Sequence, residues 1–432
     1  MKQFENNFML GAATAAHQVE GNNRYSDYWV QEQLPHSVFD EPSLDAVDHY
    51  HHYEEDIKYL ADAGLNTYRF SIEWARIQPE PDMWAEDEVA HYKDVIACCK
   101  KYNVTPIVTM HHFSSPKWLI SEGGWENQAV ADKFAFYCRR FMEEAGDALE
   151  YVCTINEANM RLQLAALIKD MKKRMGAGAE NREINVQVGV NMLPENMKLN
   201  MRETAEAFGI KDPANVHTFI SQCTQEGDIL VMKAHEAARD AIKAVCPHIK
   251  VGLTLSLHDM QPYPGGEVIA EKEWDQEFLH YLPYIEDDDF LGVQCYTRKR
   301  FDADGVAKPT EGERRTQMGY EDYPPGIANV VRTVAKDFHR DIIVTENGIA
   351  TDDDSCRVEF IQAAVEGIQA CIHEGIPVKG YMYWSLLDNF EWQKGFSKTF
   401  GLIAVDRKTQ KRYPKESLKV LGAYCKRKQL RV

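Results

Sequence analysis

Asn66-Thr67-Tyr68-Arg69-Phe70-Ser71-Ile72 and, after the amphipathic stretch Glu88–Tyr102, Val104-Thr105-Pro106-Ile107-Val108-Thr109-Met110 decide the fold. Each run is rich in β-branched and aromatic residues and too short for a helix. A strand, a helix and a second strand form the unit of a parallel sheet, because a parallel crossover usually runs through a helix. The unit recurs. Further runs are Phe8–Ala12, Tyr151–Ile155, Lys250–Leu255, Phe290–Val293, Asp341–Val344 and Gly380–Trp384. Helical patterns stand at Tyr53–Ala63, Gln128–Ala145, Asp228–Val245 and Asp354–His373. Eight strands alternating with helices predict an α/β protein, a closed (β/α)8 TIM barrel. Such barrels extend past 400 residues with loop insertions, so one domain over 1–432 accounts for the length. A doubly wound open sheet is the rival, but no Gly-x-Gly-x-x-Gly follows the first run.

Composition narrows the function. No Ser/Pro/Gly-rich linker, low-complexity segment or repeat divides the chain. The 49 Lys and Arg stand against 67 Asp and Glu, a net charge of −18. A surface this acidic repels phosphate backbones and anionic lipid heads, so neither nucleic acid nor membrane is an expected partner. Hydrophobic residues make up 44% and charged residues 27%, enough for a large ordered core. No apolar run reaches the ~18 residues that span a bilayer. The first residues show no basic-then-apolar secretory pattern. The ten cysteines are scattered, without a Cys-x-x-Cys, which reads as free, mostly buried thiols in a reducing compartment. A cytoplasmic location is expected. The oligomeric state is open, and a homo-oligomer is compatible with the sequence.

A barrel of this kind presents its chemistry at the C-terminal ends of its strands. Gln18 follows the first run, Arg69 lies near the end of the second, and His112 ends the third. Asn156 and Glu157 end the fourth, Tyr296 follows the sixth, Glu346 ends the seventh and Trp384 the eighth. The fifth run offers nothing obvious. Glu157 and Glu346 each follow a β-run directly. A lone Glu there caps a helix or meets solvent. Two of them on strands four and seven, nearly opposite on an eight-strand ring, are the equipment of glycoside hydrolysis. One protonates the leaving oxygen, and the other attacks the anomeric carbon or activates water. A separation of about 5 Å makes the second a nucleophile and the reaction retaining.

The motifs resemble those of the family 1 glycoside hydrolases, the β-glucosidase and β-galactosidase family, along nearly the whole chain. They are Phe8-Met9-Leu10-Gly11-Ala12-Ala13-Thr14-Ala15-Ala16-His17-Gln18-Val19-Glu20-Gly21, Tyr68-Arg69-Phe70-Ser71-Ile72-Glu73-Trp74-Ala75-Arg76-Ile77 and Thr109-Met110-His111-His112-Phe113 with Pro116. Thr154-Ile155-Asn156-Glu157, Thr345-Glu346-Asn347-Gly348 and Trp384-Ser385-Leu386-Leu387-Asp388-Asn389-Phe390-Glu391-Trp392 complete the set. The resemblance implies a retaining exo-β-glycosidase acting on β-glucosides or related β-glycosides, with no cofactor and no metal. It makes Glu157 the acid/base and Glu346 the nucleophile. Gln18, His112, Asn156, Glu391 and Trp392 would hold the hydroxyls of the sugar, and Trp384 would be its apolar floor. Arg69 and Tyr296 would flank Glu346 and keep it ionised.

Three positions depart from the family's usual pattern. Ala158 replaces a proline after the acid/base and is expected to loosen Glu157. Gln294 stands for an asparagine beside the nucleophile, and Phe113 for a tryptophan that can donate to a hydroxyl. They bear on rate and specificity, and they leave a runner-up: a sugar-binding barrel with weak or no hydrolysis. Members that cleave 6-phosphorylated sugars replace the Glu of the last motif with a small hydroxyl residue and add Lys and Tyr. This chain keeps Glu391, so unphosphorylated glycosides are expected, despite Lys394 and Lys398 nearby.

Other signals read as structural. His49, His51 and His52 are expected on the polar face of a helix capped by Asp45 or Asp48. Metal-dependent hydrolysis on the same fold is a third, weaker reading. Of the neighbours His111 and His112, only one can line the barrel, and the resemblance selects His112. Glu286-Asp287-Asp288-Asp289 reads as a solvated loop and Lys426-Arg427-Lys428 as a solvated tail. The segment 160–201, with Met160, Met171, Met175, Met192, Met197 and Met201, should rise beside the site entrance, as packing or as an adaptable binding surface.

Overall fold

All eight runs form strands: β1 (Met9–Ala13), β2 (Thr67–Ser71), β3 (Thr105–His111), β4 (Tyr151–Ile155), β5 (Lys250–Ser256), β6 (Phe290–Gln294), β7 (Asp341–Asn347) and β8 (Val378–Trp384). The structure, a computed structural model, describes residues 3–177, 187–191, 196–221 and 223–425, with backbone alone for 169–177. Each strand pairs in parallel with the next, and β8 pairs with β1, which closes the barrel. Closure leaves no unpaired edge. It also demands close approach: a Cβ on Gly11 would lie 1.8 Å from the Thr67 carbonyl oxygen, so β1 meets β2 there only through glycine.

The outer helices include α1 (His49–Asp62), α2 (Glu86–Lys101), α3 (Val130–Ala145), α4 (Met160–Ala177), α5 (Gln225–Val245), α6 (Gly326–Val334) and α7 (Asp354–His373). Their ends follow local chemistry. Asp353 accepts the Ser355 N–H at the start of α7 (2.9 Å), and Thr224 accepts that of Gly227 at the start of α5 (2.9 Å). Glu86, Asp87 and Glu88 open α2 and Lys100 and Lys101 close it, the order the helix dipole favours. Between strands and helices lies a continuous buried layer that includes Leu10, Tyr68, Val108, Val152, Leu253, Leu291, Val344 and Tyr381. Apolar burial of this kind contributes about 25 cal/mol per Å2.

Three expectations change. Asp48 occupies the position before α1 with a left-handed backbone (φ 47°) and makes no capping bond; its carboxylate takes His51 Nδ1 instead (2.6 Å). His49 is buried, not on a polar face. Its Nδ1 meets Asp56 at 2.8 Å and its Nε2 the Tyr68 hydroxyl at 3.0 Å, while Arg412 donates to the same Asp56 (2.8 and 3.0 Å). The acidic run before β6 is only partly solvated. Asp288 is fully buried against His235 (3.0 Å) and Arg239 (3.1 Å), and Asp289 accepts the Val251 N–H at 2.8 Å.

All ten cysteines are free. Among the described residues, no helix is long and apolar enough to cross a membrane, and no cluster of three His, Cys, Asp or Glu is placed to hold a metal ion. Met192 and Lys426-Arg427-Lys428 lie outside the described residues, as do the side chains of Met171 and Met175.

Candidate active site

The C-terminal ends of the strands surround a cavity of about 290 Å3, bounded by His112, Phe113, Asn156, Glu157, Gln187, Val188, Tyr296, Glu346, Trp384, Glu391, Trp392 and Phe400. Of the residues singled out from sequence, only Gln18 and Arg69 do not line it. A larger cleft of about 730 Å3 lies at the other end of the barrel, among Phe4, Phe8, Ile372, His373 and Val378. Chemistry, not size, selects the smaller one: both strand-end glutamates face it.

Glu346 sits where β7 slips register against β6, between Val344 and Glu346. Such a bulge re-aims a side chain. Its Oε1 accepts from Arg69 Nη1 (2.6 Å) and its Oε2 from the Tyr296 hydroxyl (2.6 Å). Arg69, fully buried on β2, also donates to Asn156 Oδ1 (2.6 Å) and Thr109 Oγ1 (3.1 Å). One guanidinium therefore ties the nucleophile candidate to the residue before the acid/base candidate.

Glu157 follows β4 with a left-handed backbone (φ 45°), as do Phe113 (φ 69°) and Trp392 (φ 49°) on the same cavity. Such residues cost about 1–3 kcal/mol each and cluster at functional sites. The turn is fastened, not loose. The Glu157 N–H donates to Thr254 Oγ1 (2.8 Å) and the Ala158 N–H to the Thr254 carbonyl (3.1 Å). A proline could not make that second bond, so the expected loosening by Ala158 is not what the structure shows. Gln294 is tied in as well, donating to Asn156 Oδ1 (2.8 Å) and Thr254 Oγ1 (3.2 Å), and it acts to lower the pKa of the Glu346 carboxylate. The observations that favoured a weakly hydrolytic barrel thus lose their footing.

The two carboxyls have unlike surroundings. Burial pushes Glu157 far above the ordinary carboxylate range, and the charge of Glu346 adds to it. Burial raises Glu346 too, but Arg69, Tyr296 and Gln294 oppose the rise. The shared proton belongs on Glu157. Burial and the Glu346 charge push Glu391 up to about 8.

His112 is held neutral, its pKa far below the usual imidazole value through burial and the Arg69 charge. Its Nε2 accepts the Asn156 amide (3.1 Å), and its Nδ1 has no partner among the described residues. Gln18 donates to the Phe390 carbonyl (2.7 Å) while its Oε1 is likewise unpartnered. A buried polar atom in that state costs about 1–3 kcal/mol. The Trp384 ring stacks on His112 (5.7 Å, 21°). His111 faces away, onto Ser115 (3.0 Å) and the Trp125 ring (4.7 Å).

Comparison with known proteins decides the family. The profile of Glycosyl hydrolase family 1 matches residues 1–170 and 286–430. The chain belongs to glycosyl hydrolase family 1. This family 1 enzyme is 32% identical to a 1,4-beta-D-glucan glucohydrolase of Thermotoga neapolitana, over 96% of the chain and 97% of that protein. It superposes on the crystal structure of a beta-glycosidase with a TM-score of 0.87 at 42% identity, covering 98% of this chain and 96% of that one. A 6-phospho-beta-galactosidase of Leptotrichia buccalis is 28% identical over 96% of the chain and 97% of that protein. Membership makes the protein a glycoside hydrolase on a (β/α)8 barrel.

The structure adds residues to this family 1 site that the sequence did not reveal. On β5, thought silent, Thr254 fastens the Asn156-Glu157-Ala158 turn, and the Ser256 hydroxyl acts to lower the pKa of the Glu157 carboxyl. Two strand hydroxyls among Leu253 and Leu255 carry no sequence signal. Gln187 and Val188 reach the cavity from the segment after β4, which does rise beside the site as expected. Met160 is buried and Met197 and Met201 are exposed, so none of these three lines it.

Proposed function

We propose that the protein is a retaining exo-β-glycosidase that removes the terminal non-reducing β-D-glucosyl residue, with galactosyl and fucosyl residues as related substrates, from unphosphorylated glycosides. The opposed environments of two buried carboxyls carry the proposal: Glu346 held by Arg69 and Tyr296, Glu157 protonated. Glu346 attacks the anomeric carbon while Glu157 gives its proton to the glycosidic oxygen; the C–O bond breaks and the aglycone leaves as an alcohol. Glu157, now a carboxylate, takes a proton from water. The water oxygen attacks the anomeric carbon, the glycosyl–Glu346 bond breaks, and both carboxyls return to their first state.

Asn156 would bind the 2-hydroxyl, whose hydrogen bonds strengthen in the transition state. Gln18, His112, Glu391 and Trp392 would hold the other hydroxyls above Trp384. The chain would work as a single catalytic unit in the cytoplasm, in keeping with its free cysteines.

Colour release from an aryl β-glucoside, with and without a chelator, tests the reaction, and NMR of the first-formed anomer tests its course. The β-anomer should appear first and the chelator should change nothing. Binding without turnover would point to the sugar-binding barrel, and the α-anomer would exclude a glycosyl-enzyme.

A further inference from the structure

Gln187 lies in the span between the two blocks that match the family profile, and its buried side chain borders the same cavity as the two carboxyls. Its Oε1 accepts the backbone N–H of Tyr296 at 2.6 Å. That bond fixes which end of the amide donates. Nε2 then points to Ser256 Oγ (3.2 Å) and the Leu257 carbonyl (3.4 Å). The two arms end on different carboxyls. The Tyr296 hydroxyl donates to Glu346 Oε2 at 2.6 Å, and the Ser256 hydroxyl acts to lower the pKa of the Glu157 carboxyl. Occupying Ser256 Oγ as an acceptor leaves its own proton free for Glu157.

We infer that Gln187 is a positioning residue for both catalytic carboxyls, one amide that sets Tyr296 against Glu346 and Ser256 against Glu157. The inference rests on the proposed roles of those two glutamates. It assigns a task to a segment with no periodic pattern: the turn through Gln187 carries the register between β5 and the residue after β6. Gly189, two residues on, packs on Glu391, where a Cβ would come within 2.3 Å of the Glu391 carbonyl oxygen, so the strap is seated from both sides.

Both arms stabilise ionised carboxylates, so losing them has one sign. The Tyr296 and Ser256 hydroxyls lower the pKa values of Glu346 and Glu157, and misplacing them raises both. Gln187→Met keeps length and apolar volume while removing both bonds. On an aryl β-glucoside its kcat should fall roughly 10- to 100-fold with KM within about threefold, the pattern of lost geometry rather than lost binding. Both limbs of the kcat/KM profile should move to higher pH, by about half a unit to one unit. A merely structural role would lower the melting temperature and the titrated fraction of active sites without moving either limb.

Two further variants sharpen the test, and Gln187→Leu, which also removes both bonds, takes the place of Gln187→Met throughout if the latter folds poorly. Ser256→Ala should move only the alkaline limb. In Tyr296→Phe/Gln187→Met the acid limb should move no further than in Tyr296→Phe alone, because the two act in series. Limbs that stay in place in folded Gln187→Met, or additive shifts in the double variant, would overturn the inference. Hydrolysis surviving in Glu346→Ala would instead overturn the underlying assignment of the carboxyls, whatever Gln187 does.

Discussion

Replacing Tyr296 with phenylalanine removes one hydroxyl and little else, since the ring is buried and packs edge-on against Phe400 (6.0 Å, 79°). The lost bond is short, 2.6 Å, and its acceptor is the Glu346 carboxylate. Hydrogen bonds to charged groups contribute about 1.5–3 kcal/mol. At 1.36 kcal/mol per pK unit, the loss raises Glu346 by about 1–2 units. The hydroxyl donates to the ionised form, so it lowers the pKa and its removal raises it. As the proposed nucleophile, Glu346 attacks only when ionised; the acid limb of kcat/KM therefore moves up by that amount, and activity in the acid range falls tenfold per unit. At the optimum a further loss of roughly tenfold is expected, because the carboxylate loses one of the two short bonds that orient it. The assay is kcat/KM on an aryl β-glucoside across about pH 4 to 9, with the limbs fitted as macroscopic values. An acid limb that stays in place, or moves down, would refute the role of Tyr296 in holding Glu346 ionised.

Glu346→Ala or Glu346→Gln should abolish turnover by several orders of magnitude, whereas Glu157→Ala should retain more activity on glycosides with good leaving groups and be partly rescued by azide; equal losses without rescue would sink the assignment. The wild-type rate should fall on both sides of an optimum near or below neutrality, and a steady climb to alkaline pH would contradict a protonated Glu157. Ala158→Pro, a change toward the family pattern, should lower stability by about 1–3 kcal/mol, because it removes the 3.1 Å bond to the Thr254 carbonyl and forces an extended backbone on Glu157, whose φ is 45°. An unchanged or higher melting temperature would count against it. On kcat/KM an aryl β-glucoside should be preferred over its 6-phosphate, and the preference should widen above about pH 8 as Glu391 ionises. A preference for the phosphate would show that Lys398, whose charge already reaches Glu391, outweighs the carboxyls.

The strands were legible because each is a short β-branched or aromatic run with polar residues at its exit, and α7 was legible end to end because Asp353 caps it. The helix starts were less so. α1 begins at His49, and histidines give no apolar period to read. Glu157 and Glu346 stood out because a carboxylate directly after a β-run is conspicuous twice over. Thr254 and Ser256 did not, since hydroxyls in a strand look like ordinary strand residues until the partner across the barrel is known. Asp288 looked solvated beside three other acids, yet its partners His235 and Arg239 lie far away in sequence on α5. Gln187 could not be singled out for the same reason: its partners, Tyr296 and Ser256, meet it only in the closed barrel.

Arg69 is a stationary cation among three buried carboxyls, Glu157, Glu346 and Glu391, and that ratio sets how many of them can be anions together. One negative charge balances it. In the proposed cycle that charge rests first on Glu346; the step that esterifies Glu346 also takes the proton from Glu157, so the charge passes to Glu157 as it leaves Glu346. Proton donation to the leaving oxygen thus leaves Glu157 as the one anion beside the guanidinium, ready to act as base when water enters. Because the charge is exchanged between two groups around a fixed centre, the interior neither gains nor loses charge through the cycle. Dissolved salt screens exposed pairs over about 10 Å at 0.1 M but finds no uncompensated field here. Ionic strength should therefore leave kcat nearly untouched.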